Sequence, residues 1–411
     1  MKIFKIMMLA LVTMCGLNSC SDDCDHDFIE VDYSKDIVGT WTCLKADFAE
    51  ALVFKADGTF ASVGVANGEY WEYPNATWSL KDNKLALSSG DYKSNVRLEI
   101  IPGYSLALVD EKGNRNVFNY CENDLADEVV GMWVCNDGLT DGITIMSYSD
   151  NGKMTITTAA ALGTNDPLVK RESDYVVVGD LMFTKLPAAN VEGQPMYTAA
   201  RMAYTPNGTS AGDIMTHKKY IPSGKGLKES VMSFLRIKQT LDLPGKKYDY
   251  IKTFVTNVKG LDKDIEFMGT TFNFAKMDGV MLDKALKTIL FNVEFPNANT
   301  IKYNCYYNGQ NMSMEAPIVV DGNKMTVKMS EKNAAYKDVD LYTFQDQDNT
   351  QMHMYMHSTA FVNFFGNMQV TIMEQLGQLD TTDAAAVKAV FDSIDEAVET
   401  INVSFVMHSS K

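Results

Sequence analysis

An internal repeat constrains this chain more than any other feature. Val38-Gly39-Thr40-Trp41-Thr42-Cys43 matches Val130-Gly131-Met132-Trp133-Val134-Cys135, 92 positions later. Phe54-Lys55-Ala56-Asp57-Gly58-Thr59-Phe60 matches Tyr148-Ser149-Asp150-Asn151-Gly152-Lys153-Met154, with the two glycines 94 positions apart. Further on, the stretch from Trp78 to Leu85 is matched by the stretch from Tyr175 to Leu181. A spacing kept at three landmarks marks two related units, and a period of about 90 residues is that of a domain rather than of a solenoid turn.

Inside each unit the local signals are β. Asp57-Gly58, Asn151-Gly152 and Asp82-Asn83 separate short apolar runs, which is the pattern of hairpin turns that need positive φ. Leu52-Val53-Phe54 and Arg97-Leu98-Glu99-Ile100 are apolar or alternate polar with apolar. Hairpins in series, with no helical period between them, predict an antiparallel meander. A meander this long closes on itself, because closure removes exposed edges.

Gly39-Thr40-Trp41 and Gly131-Met132-Trp133 resemble the G-x-W of the first strand in lipocalin-like barrels. Together with the F-x-x-DGTF hairpin, the VGTW start is similar to lipocalin-like domains of Bacteroidota lipoproteins of unknown function. The resemblance implies that Trp41 and Trp133 pack across the closed end of each barrel under an arginine from the last strand. Arg115 is the candidate in the first copy and Arg201 in the second. It also implies that the first and last strands are neighbours, which brings Cys43 and Cys121 within reach of a disulfide. The alternative is that both are small buried thiols.

The chain after the second copy reads differently. Residues 226–242 carry a helical period through Val231, Phe234, Leu235 and Leu241, stopped by Pro244-Gly245. Stretches 250–258 and 281–290 are further helical candidates. Strands return at 289–295, 300–307, 316–320, 324–329, 338–344 and 351–357, followed by an amphipathic helix over 383–399 and a closing strand from Asn402 to Met407. The expected architecture is mainly β: tandem lipocalin-like antiparallel barrels over 36–123 and 127–215, then an α+β, barrel-like domain over 226–411.

The N-terminus reads as an address. Lys2 and Lys5 precede an apolar run from Ile6 to Cys15, too short to span a bilayer but suited to a signal peptide over 1–19. Leu17-Asn18-Ser19-Cys20 resembles the lipobox of bacterial lipoproteins, which implies lipidation of Cys20 and a membrane anchor of several acyl chains. Ser21-Asp22-Asp23 resembles the surface-export signal of Bacteroidota lipoproteins. The expected location is therefore the outer membrane, facing the cell surface, with a periplasm-facing alternative and an acidic tether over 20–35. Loss of Lys2 and Lys5 takes the net charge from −16 to −18, which argues against a nucleic-acid partner. Cys24-Asp25-His26-Asp27 has metal-binding residue types, but in a tether nothing fixes their geometry.

Motifs for chemistry are sparse, with no P-loop, no GxGxxG after a strand and no HExxH. In Met352-His353-Met354-Tyr355-Met356-His357 strict alternation puts His353, Tyr355 and His357 on one strand face. With His408 on the final strand, these could hold a transition metal or tetrapyrrole in a barrel mouth. Strand alternation favours the other reading, in which the methionines face the core and the histidines face solvent or a neighbouring domain, because a half-buried strand produces it without any ligand. Trp71, Trp78 and the Tyr70–Tyr73 cluster suit either sugar stacking or cross-strand packing. Asp380-Thr381-Thr382 and Asp392-Ser393-Ile394 match a short O-glycosylation acceptor pattern of the same bacterial group, at Thr381 and Ser393. The expected function is non-catalytic, without a cofactor: binding of a small apolar or aromatic-stacking ligand in a barrel. The alternative is an interaction module for an outer-membrane transporter or host glycan, and an enzyme is the third reading.

Overall fold

The computed structural model describes residues 33–90, 92–135, 144–159, 168–186, 196–206, 213–223, 226–238, 240–267, 270–276, 279–307 and 310–410. Among these residues the chain is mainly β and forms three closed antiparallel barrels of eight strands each, with a separate two-stranded hairpin. The segment expected to be a signal peptide, Cys20 and the expected tether as far as residue 32 lie outside the described residues.

The first barrel is an uninterrupted up-and-down meander. Its strands are β1 (Gly39–Leu44), β2 (Phe48–Phe54), β3 (Thr59–Ala66), β4 (Glu69–Lys81), β5 (Lys84–Ser89), β6 (Tyr92–Ile101), β7 (Ser105–Val109) and β8 (Arg115–Cys121). β8 returns to β1 with Trp41 opposite Tyr120. The second barrel follows a short helix, α1 (Ala126–Val129), and repeats the plan. It comprises β9 (Gly131–Cys135), β10 (Thr144–Tyr148), β11 (Lys153–Ala159), β12 (Leu168–Val178), β13 (Leu181–Leu186), β14 (Met196–Thr205), β15 (Ile214–Ser223) and β16 (Gly226–Ile237).

The repeat is reproduced atom by atom. Trp41 Nε1 donates to the Ile37 carbonyl and Trp133 Nε1 to the Val129 carbonyl, both at 2.8 Å. Gly58 and Gly152 both adopt positive φ, at 81° and 76°, in the β2–β3 and β10–β11 turns, a conformation only glycine takes without strain. The third landmark also holds: Trp78 Nε1 donates to the Lys55 carbonyl and the Tyr175 hydroxyl to the matching Ser149 carbonyl.

Two expectations are corrected here. Residues 226–237 are the closing strand of the second barrel, not a helix, so that barrel ends at Ile237 rather than at 215. Met232 and Phe234 turn inward while Val231 and Ser233 face out, a period of two that the apolar spacing of 231, 234 and 235 concealed. Residues 246–260 likewise form a strand, β17 (Lys246–Gly260), where 250–258 read as helical.

β17 opens the third barrel, which has insertions between its strands. A hairpin of β18 (Asp264–Phe267) and β19 (Thr270–Asn273) and a helix α2 (Gly279–Ile289) precede β20 (Leu290–Asn297). β21 (Thr300–Tyr307), β22 (Gln310–Asp321) and β23 (Lys324–Val327) lead to a single turn, α3 (Met329–Lys332), then β24 (Val339–Gln345) and β25 (Gln351–Met356). Two helices, α4 (Ser358–Gln375) and α5 (Ala384–Asp395), come before β26 (Val398–Ser409), which pairs with both β25 and β17. Asp383 caps α5 by accepting from the Ala385 and Ala386 amides. α4 was not legible in the sequence; Phe361, Val362, Phe364, Phe365 and Met368 bury several of its faces. It packs on inward-facing residues of the strands, with Phe364 5.4 Å from the Tyr303 ring and 6.2 Å from Phe405.

Adjacent barrels touch through their outer faces. Ala49, Ala51, Val63 and Val65 of the first pack on Leu181 and Phe183 of the second, beside a Tyr70–Tyr197 stack at 4.8 Å. Val134, Ile145 and Ile237 of the second meet Phe344 and Tyr355 of the third. Buried Gln345 fastens the connecting segment, donating from Nε2 to the Asp242 carbonyl and the Tyr248 hydroxyl and accepting the Asp242 amide on Oε1.

Candidate functional site

The barrel interiors are the places a ligand would enter, and each has its own chemistry. Trp41 and Trp133 are fully buried at matching positions, as the G-x-W resemblance implies. The arginine over Trp133 is Arg236 on β16, its guanidinium 4.6 Å from the indole centroid and 5.7 Å from Tyr204. It also donates to the Glu128 carbonyl and lies 3.5 Å from Asp213. Arg201 is not that residue: it pairs with Asp180 at 3.1 Å and reaches across to the Thr42 carbonyl of the first barrel. Arg115 is on the last strand of the first barrel but pairs with Glu99 in solvent. Tyr120 takes the position opposite Trp41 instead, edge-on at 5.0 Å.

The first barrel encloses a carboxyl group. Glu50 on β2 lies opposite Cys43 and accepts from Ser62 Oγ at 2.8 Å, and Ser62 Oγ in turn accepts from Trp71 Nε1 at 3.1 Å. Burial raises the Glu50 pKa to about 7, opposed by the hydrogen bonds from Ser62 and Trp71. Trp71 is thus an interior residue, against Phe48 and directly over Gly64, where a Cβ would lie 2.1 Å from the ring. Neither Trp71 nor Tyr70, which stacks on the second barrel, is free to stack on a sugar.

Cys43 and Cys121 are not bonded. Thr40 is the residue opposite Cys121, so Cys43 is three positions away and on the other face of β1. Cys43 points into the core with its thiol pKa pushed up to about 11 by burial, while Cys121 lies outside against Gly179 of the second barrel. An odd register offset separates two side chains on a sheet as surely as distance does.

The second barrel is lined by methionine. Met154, Met182, Met202, Met215 and Met232 form one core with Trp133, Cys135, Tyr148, Tyr175 and Phe234. His217 is buried among them, its ring 4.8 Å from Phe234 and 6.4 Å from Tyr148. Burial, with Lys219 close by, lowers its pKa to about 4, so the imidazole is neutral at pH 7. Thr216-His217-Lys218-Lys219 is a polar run with no alternation to mark His217 as inward; the direction follows from its register opposite Met202 and Met232.

The histidines singled out from the sequence do not line a barrel. Met352, Met354 and Met356 face the interior of the third barrel, and His353 and Tyr355 face outward. His353 is buried with its pKa lowered to about 4 by desolvation and by nearby Lys252 and His408. Tyr355 donates to Asn402 at 2.9 Å. His357 lies beyond the strand, at the N-cap of α4. Among the described residues no group of three or more His, Cys, Asp or Glu is placed to hold a metal ion.

At the glycosylation patterns, Ser393 Oγ is turned back onto the Val390 carbonyl within α5, so the helix withholds it. Thr381 Oγ donates to Glu374. Gly208-Thr209-Ser210-Ala211-Gly212 spells the G-x-S-x-G of a nucleophile elbow, but it joins antiparallel strands β14 and β15 rather than a strand and a helix, and it lies outside the described residues. No helix among the described residues is long and apolar enough to cross a membrane.

No family model matches the chain, and no curated protein matches it. Solved structures give slight likenesses. One is the isotype 1 transferrin-binding protein B from serogroup B Neisseria meningitidis, at 8% identity and a TM-score of 0.20, over 89% of this chain and 66% of that one. Another is the Helicobacter pylori β clamp in complex with diflunisal, at 8% identity and a TM-score of 0.13, over 90% of this chain and 91% of that one. Likeness of this degree carries no argument, and the barrel architecture rests on the strand pairings above.

Proposed function

We propose that the chain is a non-catalytic binding protein of the cell envelope, anchored through lipid on Cys20, that recognises a macromolecular partner with its outer surface. The filling of two interiors carries this reading. The first barrel is occupied by its own Trp41, Phe48, Leu52, Phe54, Trp71 and Phe118, and the third by α4. Cavities beside α4, lined by Phe272, Phe361 and Phe365 or by Tyr303, Met314 and Met368, are each about 20 Å³. That is room for about one water molecule, against the several hundred Å³ of a small-molecule site. A small apolar ligand in either of these barrels is thereby disfavoured.

A candidate contact is the β6–β7 turn, where Ile101 and Tyr104 are 59% and 71% exposed beside Gly103 at positive φ. A tyrosine and an isoleucine held out on a tight turn suit an interface anchor. Protein taken from its own membrane, crosslinked and compared with a Tyr104→Ser, Ile101→Ser variant, tests the reading. Loss of a crosslinked partner in the variant is expected. A discrete molecule of several hundred daltons released on denaturation, with no partner captured, refutes it.

A further inference from the structure

Three adjacent strands of the second barrel place three donors at one level. His217 on β15 is directly opposite Met202 on β14 and Met232 on β16. Directly opposed residues share a face, with Cβ atoms about 4.5–5.5 Å apart. All three are buried. Among the described residues His217 Nε2 has no hydrogen-bond partner, and neither has the hydroxyl of Tyr148 beside it. One such buried group costs about 1–3 kcal/mol, and two facing the same interior call for a common explanation.

We propose that the second barrel binds a soft monovalent metal ion, Cu(I), between His217 Nε2 and the thioethers of Met202 and Met232. The donor chemistry selects the ion. Thioether and imidazole are soft or borderline ligands, whereas Mg²⁺ and Ca²⁺ require oxygen and structural Zn²⁺ is held by thiolate, imidazole or carboxylate. The charged group that acts on His217 is Lys219, itself a cation, so a singly charged ion on neutral ligands is the cation least penalised there. Met154, Met182 and Met215 in the same core supply further polarisable contacts, and the next inward position on β15 is Lys219, close to the Cys135 thiol. The site is independent of the outer-surface recognition proposed above.

The test uses the full chain labelled with ¹⁵N-histidine, whose five histidines give a sparse spectrum. Cu(I) is added anaerobically as its acetonitrile complex, with Ag(I) as a probe that does not change oxidation state. The imidazole resonance assigned to His217 by its loss in His217→Gln is expected to shift and saturate at one equivalent bound in the barrel. Met202→Leu, Met232→Leu conserves volume, and it is expected to abolish that shift and weaken Cu(I) binding at least tenfold. A His217 resonance that does not move refutes the proposal, even if the cysteines take up metal, because a water between Tyr148 and His217 then explains both groups. An equal shift in the methionine variant also refutes it. Should that variant not fold, copper X-ray absorption of the native protein decides: one nitrogen and two thioether sulfurs are expected, and a thiolate-only shell overturns the assignment.

Discussion

Glu50 offers a sharp test of how the first barrel is built. The residue is 3% exposed and its pKa is raised from 4.5 to about 7. Below pH 4.5 the group is protonated in both folded and unfolded chains and imposes no penalty. Between pH 4.5 and 7 the unfolded chain ionises while the folded one keeps its proton, so stability falls as pH rises. Above pH 7 the loss levels off. At 1.36 kcal/mol per pKa unit, the full loss is about 3 kcal/mol. Glu50→Gln keeps an oxygen for Ser62 Oγ and removes the titration. The variant should match the native protein at pH 4 and exceed its stability by about 3 kcal/mol at pH 8. His217 and His353 titrate with the opposite sign, losing stability as pH falls from 6.5 towards 4, but they are common to both proteins and cancel in the difference. Urea unfolding followed by tryptophan fluorescence reads the right region, since Trp41, Trp71 and Trp78, three of the chain's four tryptophans, lie in this barrel. A Glu50→Gln gain that is constant with pH, or larger in acid, would refute the reasoning.

Arg236→Ala should cost about 1–3 kcal/mol, through the lost cation–π contact and the stranded Glu128 carbonyl, whereas Arg115→Ala should stay within about 0.5 kcal/mol; urea midpoints at constant m-value compare them. Peptide mapping after alkylation without reductant should recover Cys43 and Cys121 as separate alkylated peptides, and a crosslinked peptide would contradict the register. Gly366→Ala drives a Cβ to 2.3 Å from the Phe391 ring, so α4 and α5 must separate. A loss of about 1–3 kcal/mol is expected, and an unchanged melting temperature would show that the helices do not pack as described.

What the sequence disclosed follows from which interactions are local. The paired Trp41 and Trp133, and the glycines at 58 and 152, act through their own strands and turns, so the repeat was visible in the residues themselves. The closing strand β16 was misread because Val231, Phe234 and Leu235 happen to satisfy a helical spacing while the barrel that receives them is non-local. Arg236 was missed with it. α4 has no polar stripe, since strands and α5 cover it on several sides, so periodicity had nothing to register. The Cys43–Cys121 pairing depended on a register parity that two separated segments cannot reveal. His217 lies in a polar run that carries no periodic signal, and its inward direction depends on β15 being a barrel strand.

Each barrel is entered and left at one point. Thr40 is laddered to Cys121, Met132 to Ile237, and Tyr248 to Ser409, so the first and last strands of every barrel lie side by side. Neighbouring strands are about 5 Å apart. A whole barrel can therefore be gained or lost with little displacement of the chain before and after it, which is how a duplicated unit finds room. The same arrangement makes each barrel a pendant on the chain under tension. A pull on the chain before and after the first barrel would peel the β1–β8 ladder one hydrogen-bonded pair at a time, opening at Thr40 and Cys121, rather than shear a whole strand at once.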